Sequence, residues 1–134
     1  MRQATKPTPR GDGLNGEFYG HAANHELRFQ RCDECGTWRH MPRYTCAACG
    51  SAKWHWALSS GRGKLYSWTI THRSFHPGFD EDVPYGVAVI EMDEGIRIVS
   101  QIESLAPSDY QIGLPVKVAF IRRGDFVLPV FVPA

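Results

Sequence analysis

The stretch that decides the fold is residues 32–50, CDECGTWRHMPRYTCAACG, which contains all four cysteines of the chain. They form two Cys-x-x-Cys pairs, Cys32 with Cys35 and Cys46 with Cys49, and a glycine follows each pair. Two intervening residues let one tight turn aim two thiolates at a single ion, and a glycine after the turn adopts a positive φ at little cost. Ten residues separate the pairs, which is enough for a hairpin that brings the two turns together. The spacing therefore predicts a tetrahedral four-thiolate site that holds a structural Zn²⁺.

Disulfides or unligated buried cysteines are the alternative to a metal site, and a rubredoxin-like iron centre would use the same ligands. No apolar run reaches the ~20 residues needed to cross a bilayer, and residues 1–13 lack the apolar segment of a secretory signal. We therefore expect a cytoplasmic protein without membrane contact, in a reducing compartment that favours metal ligation over disulfides. Because four protein ligands leave no position for water, we expect the metal to be structural and not catalytic.

The charge balance limits the function classes. Fifteen Lys and Arg stand against 14 Asp and Glu, a formal net charge of +1, which argues against a dedicated nucleic-acid binder. A single-stranded nucleic-acid-binding zinc-ribbon/OB protein is still the alternative function, because aromatic side chains could stack on bases. His72 and His76 lie beside the acidic residues 80–82, where a solvated loop is a simpler interpretation than a second metal. No motif of an activated nucleophile or a phosphate-binding loop is present, so an autonomous enzyme is not expected.

The remaining sequence predicts a mainly β protein in three parts. Residues 1–13, rich in Pro, Gly and basic residues, form a disordered tail, and residues 14–60 form a short helical segment and the zinc ribbon. Residues 61–134 contain five predicted strands, and Asp93-Glu94-Gly95 is a hairpin turn signal between two of them. Five strands without long helices suit a small OB-fold barrel, with a sandwich as the other possibility.

With these features the chain resembles the DUF35 family, in which a rubredoxin-like zinc ribbon precedes an OB-fold. The resemblance covers residues 18–133, apart from His21 and His25, where the family often has glycine. The matching elements are Phe18-Tyr19, residues 27–32 (LRFQRC), Cys35-Gly36, Pro42-Arg43, Cys49-Gly50-Ser51, residues 60–63 (SGRG), Tyr66-Ser67, Thr69, Pro84-Tyr85, Asp93-Glu94-Gly95, residues 112–116 (IGLPV) and residues 128–131 (LPVF).

The resemblance implies a function as well as a fold. Family members look like non-catalytic partners of thiolase-fold acyl-CoA enzymes, including lipid-transfer-protein-like aldolases that cleave a steroyl-CoA in steroid side-chain degradation. We therefore expect an accessory subunit of a hetero-oligomer that helps form a CoA or acyl channel. The residues expected to contact CoA or the acyl chain are Arg62, Lys64, Arg73 and Phe75. Those expected at the partner interface are Phe18, Tyr19, Leu128, Val130 and Phe131.

Overall fold

The structure is a computed structural model that describes residues 5–134, which form one α-helix and two antiparallel sheets. Along the chain these elements are α1 (Gly13–Ala23), β1 (Arg28–Cys32), β2 (Trp38–Arg39), β3 (Trp54–Leu58), β4 (Arg62–Thr71), β5 (Tyr85–Met92), β6 (Arg97–Ser100), β7 (Pro115–Arg123) and β8 (Phe126–Pro133). The first sheet has the order β2-β1-β3 and the second the order β6-β5-β4-β7-β8. No helix in the described range is long and apolar enough to cross a membrane.

The three-stranded sheet forms the zinc ribbon. Its central strand β1 pairs with β2 through Gln30 and Arg39, and with β3 through Gln30 and Trp56. Phe29 and Gln30 are fully buried because β1 lies between its two neighbours. The sequence predicts α1, β1 and β3 but gives no signal for β2, since two residues are too few for an alternating pattern.

The five-stranded sheet closes on itself. The long strand β4 pairs along its length with β5 and at its first residues with β7, and its register shifts between Leu65 and Ser67. At the far edges, a parallel bridge joins Ile102 to Phe131. The N–H of Phe131 donates to the carbonyl of Gln101 at 3.0 Å, and the N–H of Glu103 donates to the carbonyl of Phe131 at 2.7 Å. The result is a nearly closed five-stranded barrel, so the OB-fold prediction is confirmed and the sandwich is not formed.

The ribbon and the barrel share one hydrophobic core. Phe18 of α1 and Phe29 of β1 belong to the same buried cluster as Leu65 and Phe131 of the barrel. Burial of this kind contributes about 25 cal/mol for each Å² of apolar surface removed from water. The helix therefore fastens the two sheets to each other.

Polar contacts reinforce this connection at the predicted boundary near residue 60. The Ser59 hydroxyl donates to the Glu94 carboxylate at 2.7 Å, and the Ser60 N–H donates to the same carboxylate at 2.9 Å. Glu94 lies in the turn between β5 and β6, so it links the end of the ribbon to the barrel.

The tail predicted over residues 1–13 is described only in part, because residues 1–4 lie outside the described range. Lys6 Nζ lies 2.8 Å from the Asp82 carboxylate. A Cβ on Gly78 would lie 2.6 Å from the carbonyl oxygen of Thr5. The described part of the tail thus contacts the acidic loop after β4, because its basic side chain finds a carboxylate there.

Candidate metal centre and partner surfaces

Two equivalent turns present the four cysteines. In the first turn the N–H of Gly36 donates to the carbonyl of Cys32 at 3.0 Å, and in the second the N–H of Gly50 donates to the carbonyl of Cys46 at 2.8 Å. Gly36 has a φ of 74° and Gly50 a φ of 77°, the left-handed region in which a side chain would be strained. The glycine after each pair is therefore required by the turn, as its position in the sequence predicts.

The turns bring the four sulfurs into one cluster. Cys32 Sγ lies 3.6 Å from Cys49 Sγ, and Cys35 Sγ lies 3.6 Å from Cys46 Sγ. All four sulfurs lie within 4.8 Å of one another. Tetrahedral coordination with Zn–S bonds of about 2.3 Å places sulfurs about 3.8 Å apart. The cluster therefore fits a four-thiolate Zn²⁺ site, which would hold the ribbon in shape and leave no ligand position for substrate.

Backbone groups of the turns stabilise the thiolate form. The N–H groups of Cys35 and Glu34 lower the pKa of Cys32, and the corresponding N–H groups of the second turn lower the pKa of Cys46. The pKa of Cys35 is lowered by the hydroxyl and the N–H of Thr37, whose Oγ1 lies 3.1 Å from the sulfur. These donors favour the deprotonated state in which cysteine binds a metal.

Cys49 shows the opposite effect. Although the N–H of Ser51 lowers its pKa, the hydrogen bond with Cys32 and the proximity of the other thiols outweigh that donor and raise the pKa to about 12. Four thiolates at this spacing repel one another unless a cation lies between them. The donor set therefore suits a dication that neutralises the cluster.

A buried polar network, which no sequence motif predicts, supports the loop between the two cysteine pairs. Gln30 Oε1 accepts from Arg39 Nε at 2.8 Å and from the N–H of Arg43 at 2.7 Å, while Gln30 Nε2 donates to the Arg43 carbonyl at 2.8 Å. Arg39 Nη2 donates to the same carbonyl at 2.9 Å. The positions of Gln30 and Arg39 in two paired strands cause the network. The sequence carries no signal for it, because β1 (RFQRC) already has polar residues at three of its five positions.

Comparisons with known proteins agree with this geometry. Residues 20–55 match the rubredoxin-like zinc ribbon domain of ChsH2, and residues 56–120 match its C-terminal OB-fold domain. A DUF35 domain-containing scaffold protein of Methanothermobacter thermautotrophicus is 30% identical over 97 residues, which are 72% of each chain. The chain belongs to the DUF35 family. Within this DUF35 protein the cysteine cluster is the structural zinc site of the ribbon.

Longer relatives contain the same two domains. The DUF35 chain is 36% identical over 133 residues to the probable enoyl-CoA hydratase alpha subunit of Thermomonospora curvata, covering 98% of itself and 41% of that protein. It is 32% identical over 116 residues to the 3-oxo-4,17-pregnadiene-20-carboxyl-CoA hydratase alpha subunit of Mycobacterium tuberculosis, covering 87% of itself and 36% of that protein. The chain thus spans about two fifths of the length of these relatives.

One solved structure matches almost completely. A chain of the Ltp2-ChsH2(DUF35) aldolase superposes with a TM-score of 0.83 at 36% identity, and the match covers 96% of the present chain and 98% of that chain.

The residues expected to contact CoA or the acyl chain lie in two separate places. Arg62 and Lys64 are exposed at the beginning of β4, whereas Arg73 and Phe75 follow its end, with Arg73 Cζ 5.5 Å from the centre of the Phe75 ring. A ten-residue strand such as β4 is about 30 Å long at the usual rise per residue. The four residues therefore form no single cluster, and each pair stays a separate prediction.

The five residues expected at the partner interface divide into core and surface residues. Phe18, Val130 and Phe131 are only 6%, 3% and 0% exposed, because α1 packs on β8 and Phe131 lies inside the barrel. These three side chains belong to the core of the chain, and the interface role of all five residues stays a prediction. Tyr19 and Leu128 are partly exposed.

A groove of about 340 Å³ lies between α1, β6 and β8, and four of those five residues line it. They are Phe18, Tyr19, Leu128 and Val130; Phe131 is the exception. The groove also contains Met41 and Val99, which are 60% and 66% exposed and which the sequence analysis did not select. We name this cavity the seam groove.

A second groove of about 810 Å³ opens at the end of the barrel and contains cations and aromatic rings. Lys6 Nζ lies 5.5 Å and Arg123 Cζ lies 5.8 Å from the centre of the Phe79 ring. Tyr85 and Tyr110 complete the aromatic lining. No sequence motif predicts this groove, because its residues come from the tail, the acidic loop, three strands and the segment after β6.

Proposed function

We propose that this chain is a non-catalytic accessory subunit of a thiolase-fold acyl-CoA enzyme, an aldolase that performs retro-aldol cleavage of a steroyl-CoA in steroid side-chain degradation. The observation that carries the proposal is the match to the Ltp2-ChsH2(DUF35) aldolase over 98% of the matched chain. A chain of the same fold, matched over nearly its whole length, can present surfaces in the same places to an enzyme.

The described residues support an accessory role. The zinc cluster is the only group of at least three His, Cys, Asp or Glu side chains that could hold a metal within residues 5–134. In the same range, no histidine side chain is hydrogen-bonded to the side chain of a serine, threonine or cysteine. That hydrogen bond is the usual way to activate a nucleophile. The proposal assigns the chemistry to the partner, in keeping with the relatives that are named DUF35 domain-containing scaffold proteins.

The groove at the end of the barrel is suited to a CoA or acyl channel shared with the enzyme. Arg122 supplies positive charge for phosphate groups, while Tyr85 and Tyr110 supply apolar surface for a chain or a ring. Lys6 is already paired with Asp82, which also lines the groove together with Glu103. The exposed Phe75 and the adjacent Arg73 do not line this groove, so their contact with CoA or the acyl chain stays a separate prediction.

A hydratase is the second candidate for the partner. The two longer relatives are named hydratase alpha subunits, and the present chain matches only 41% and 36% of their lengths. A hydratase that acts on an acyl-CoA is therefore the second enzyme to test as a partner.

Co-expression with the thiolase-like protein encoded nearest to this chain tests the proposal. We expect the two proteins to co-purify as a hetero-oligomer and the partner to lose solubility when the accessory chain is omitted. A partner that is soluble and fully active alone would contradict the proposal. Binding of labelled single-stranded oligonucleotides with a steep salt dependence would favour the nucleic-acid alternative.

A further inference from the structure

The seam groove is a gap between two strand edges. Five consecutive residues of the β6 segment, residues 97–101, form one wall, and three consecutive residues of β8, residues 128–130, form the other. β6 and β8 are the two outer strands of the five-stranded sheet, so neither has a second full partner. The bridge from Ile102 to Phe131 joins them at one end.

The register shows which backbone groups face the gap. The N–H of Met92 donates to the carbonyl of Ile96, and β5 and β6 continue in the same antiparallel register. In an antiparallel ladder, residue pairs that exchange hydrogen bonds alternate with pairs that do not. Ile96 belongs to a hydrogen-bonded pair, so the N–H and C=O groups of Arg97 and Val99 point away from β5. The carbonyl of Gln101, next in this row, accepts from Phe131 across the gap.

The backbone N–H and C=O groups of Arg97 and Val99 make no corresponding hydrogen bond to β8. Within residues 5–134, no backbone hydrogen bond from outside the β5–β6 ladder reaches either residue. On the opposite wall, Pro129 has no N–H, and its carbonyl accepts from the Ser100 hydroxyl at 3.0 Å. Proline in β8 thus prevents the barrel from closing beyond Phe131 and leaves the edge of β6 open.

The charge of the groove is one-sided. Its lining contains the cations Arg97 and Arg123 but no Asp or Glu. Arg97 is already 3.5 Å from the Glu91 carboxylate. Arg123 forms no ion pair within the described part of the chain; its cationic group lies near the Phe79 ring. Around these cations the walls are apolar, with the exposed side chains of Met41 and Val99 at the rim.

We propose that the seam groove binds an extended segment of the partner enzyme, which adds as a strand to the edge of β6 and places a carboxylate beside Arg123. This inference rests on the proposed function, and it specifies the mode of docking. Main-chain hydrogen bonds to Arg97 and Val99 supply affinity, and the apolar walls with Arg123 select an apolar segment that carries an acidic residue. Strand addition explains why an edge with an exposed Val99 is tolerated, since such an edge is otherwise an aggregation hazard.

The test compares two substitutions at one position in the full chain. Val99→Pro removes the N–H group that faces the groove and breaks no hydrogen bond between β5 and β6. Val99→Thr keeps both the N–H group and the branched side chain. We expect Val99→Pro to weaken binding of the co-expressed thiolase-like partner about tenfold or more and Val99→Thr to change it little. Zinc content and the melting temperature of the free variants verify that both are folded.

A second pair of variants tests the charge. Arg123→Gln should weaken the complex and reduce its salt dependence, whereas Lys117→Gln should not, because the exposed Lys117 lines neither groove. A third measurement avoids substitutions: amide hydrogen exchange at Arg97 and Val99 should slow in the wild-type complex. Unchanged exchange there, in a complex that forms normally, contradicts strand addition and leaves the proposed function standing. No complex at all contradicts both.

Discussion

Cys32 Sγ lies 3.6 Å from Cys49 Sγ, although the two residues are 17 positions apart in the chain. Each cysteine of the first turn approaches one of the second in this way, so the metal links β1 to the segment before β3. The ribbon sheet is small, and metal binding free energy becomes folding free energy in domains of this kind.

The first prediction concerns the metal. The purified protein should contain one zinc ion per chain, and Cys46→Ser should lose it and unfold the ribbon, because three thiolates bind Zn²⁺ more weakly than four. Metal analysis and the melting temperature measure both effects. Glu34→Gln is the matched control, because Glu34 lies within the first turn but its side chain binds no metal. Its carboxylate lies 3.9 Å from Lys53 Nζ. Iron in place of zinc, or a Cys46→Ser protein as stable as wild type, would refute the assignment.

The second prediction concerns Gln30, which is 0% exposed and bonded to Arg39 and Arg43. Gln30→Leu should destabilise the protein by about 2–4 kcal/mol, because it leaves buried arginine donors without their acceptor. Urea unfolding measures the loss. Gln111→Leu, at an exposed position, should change stability by less than about 0.5 kcal/mol. Equal stabilities for the two variants would show that the network adds nothing.

The third prediction is a pH dependence caused by His40. Burial against the rings of Phe18 and Phe29 lowers the pKa of His40 to about 4 from its usual 6.5. The unfolded chain therefore binds this proton at a higher pH than the folded one, and stability falls as the pH drops from 6.5 towards 4. This pKa shift corresponds to a loss of about 3 kcal/mol in the free energy of unfolding between pH 6.5 and pH 4.

Unfolding experiments at several pH values check this effect. His40→Phe should keep the aromatic packing and lose part of the slope between pH 6.5 and pH 5, relative to wild type. Zinc content must be followed in parallel, because acid also protonates the cysteine ligands. If wild type and His40→Phe lose stability equally over that range, His40 is not the cause.

The sequence predicts those parts of the structure that depend on local chemistry. The glycines at positions 36 and 50 mark the turns of the ribbon, and Asp93-Glu94-Gly95 marks the hairpin turn between β5 and β6. By contrast, the burial of Phe18 and Val130 arises only when α1 packs on β8, so the sequence shows two apolar residues without showing what covers them.

The seam groove and the placement of the predicted CoA residues also depend on how distant segments pack. The seam groove depends on the register between β5 and β6 and on where the barrel stops closing, near Pro129. Neither is encoded in a short motif. The separation of Arg62 from Arg73 follows from the length of β4, which places residues that look close in sequence at opposite ends of a strand.

The measurement that tests the central claim most directly is the rate of retro-aldol cleavage by the purified thiolase-fold partner as the zinc-loaded chain is added. We predict that the rate rises with the added chain and saturates at a fixed stoichiometric ratio, while the chain alone has no activity. A partner that cleaves its steroyl-CoA substrate at the full rate with no chain added would contradict the account.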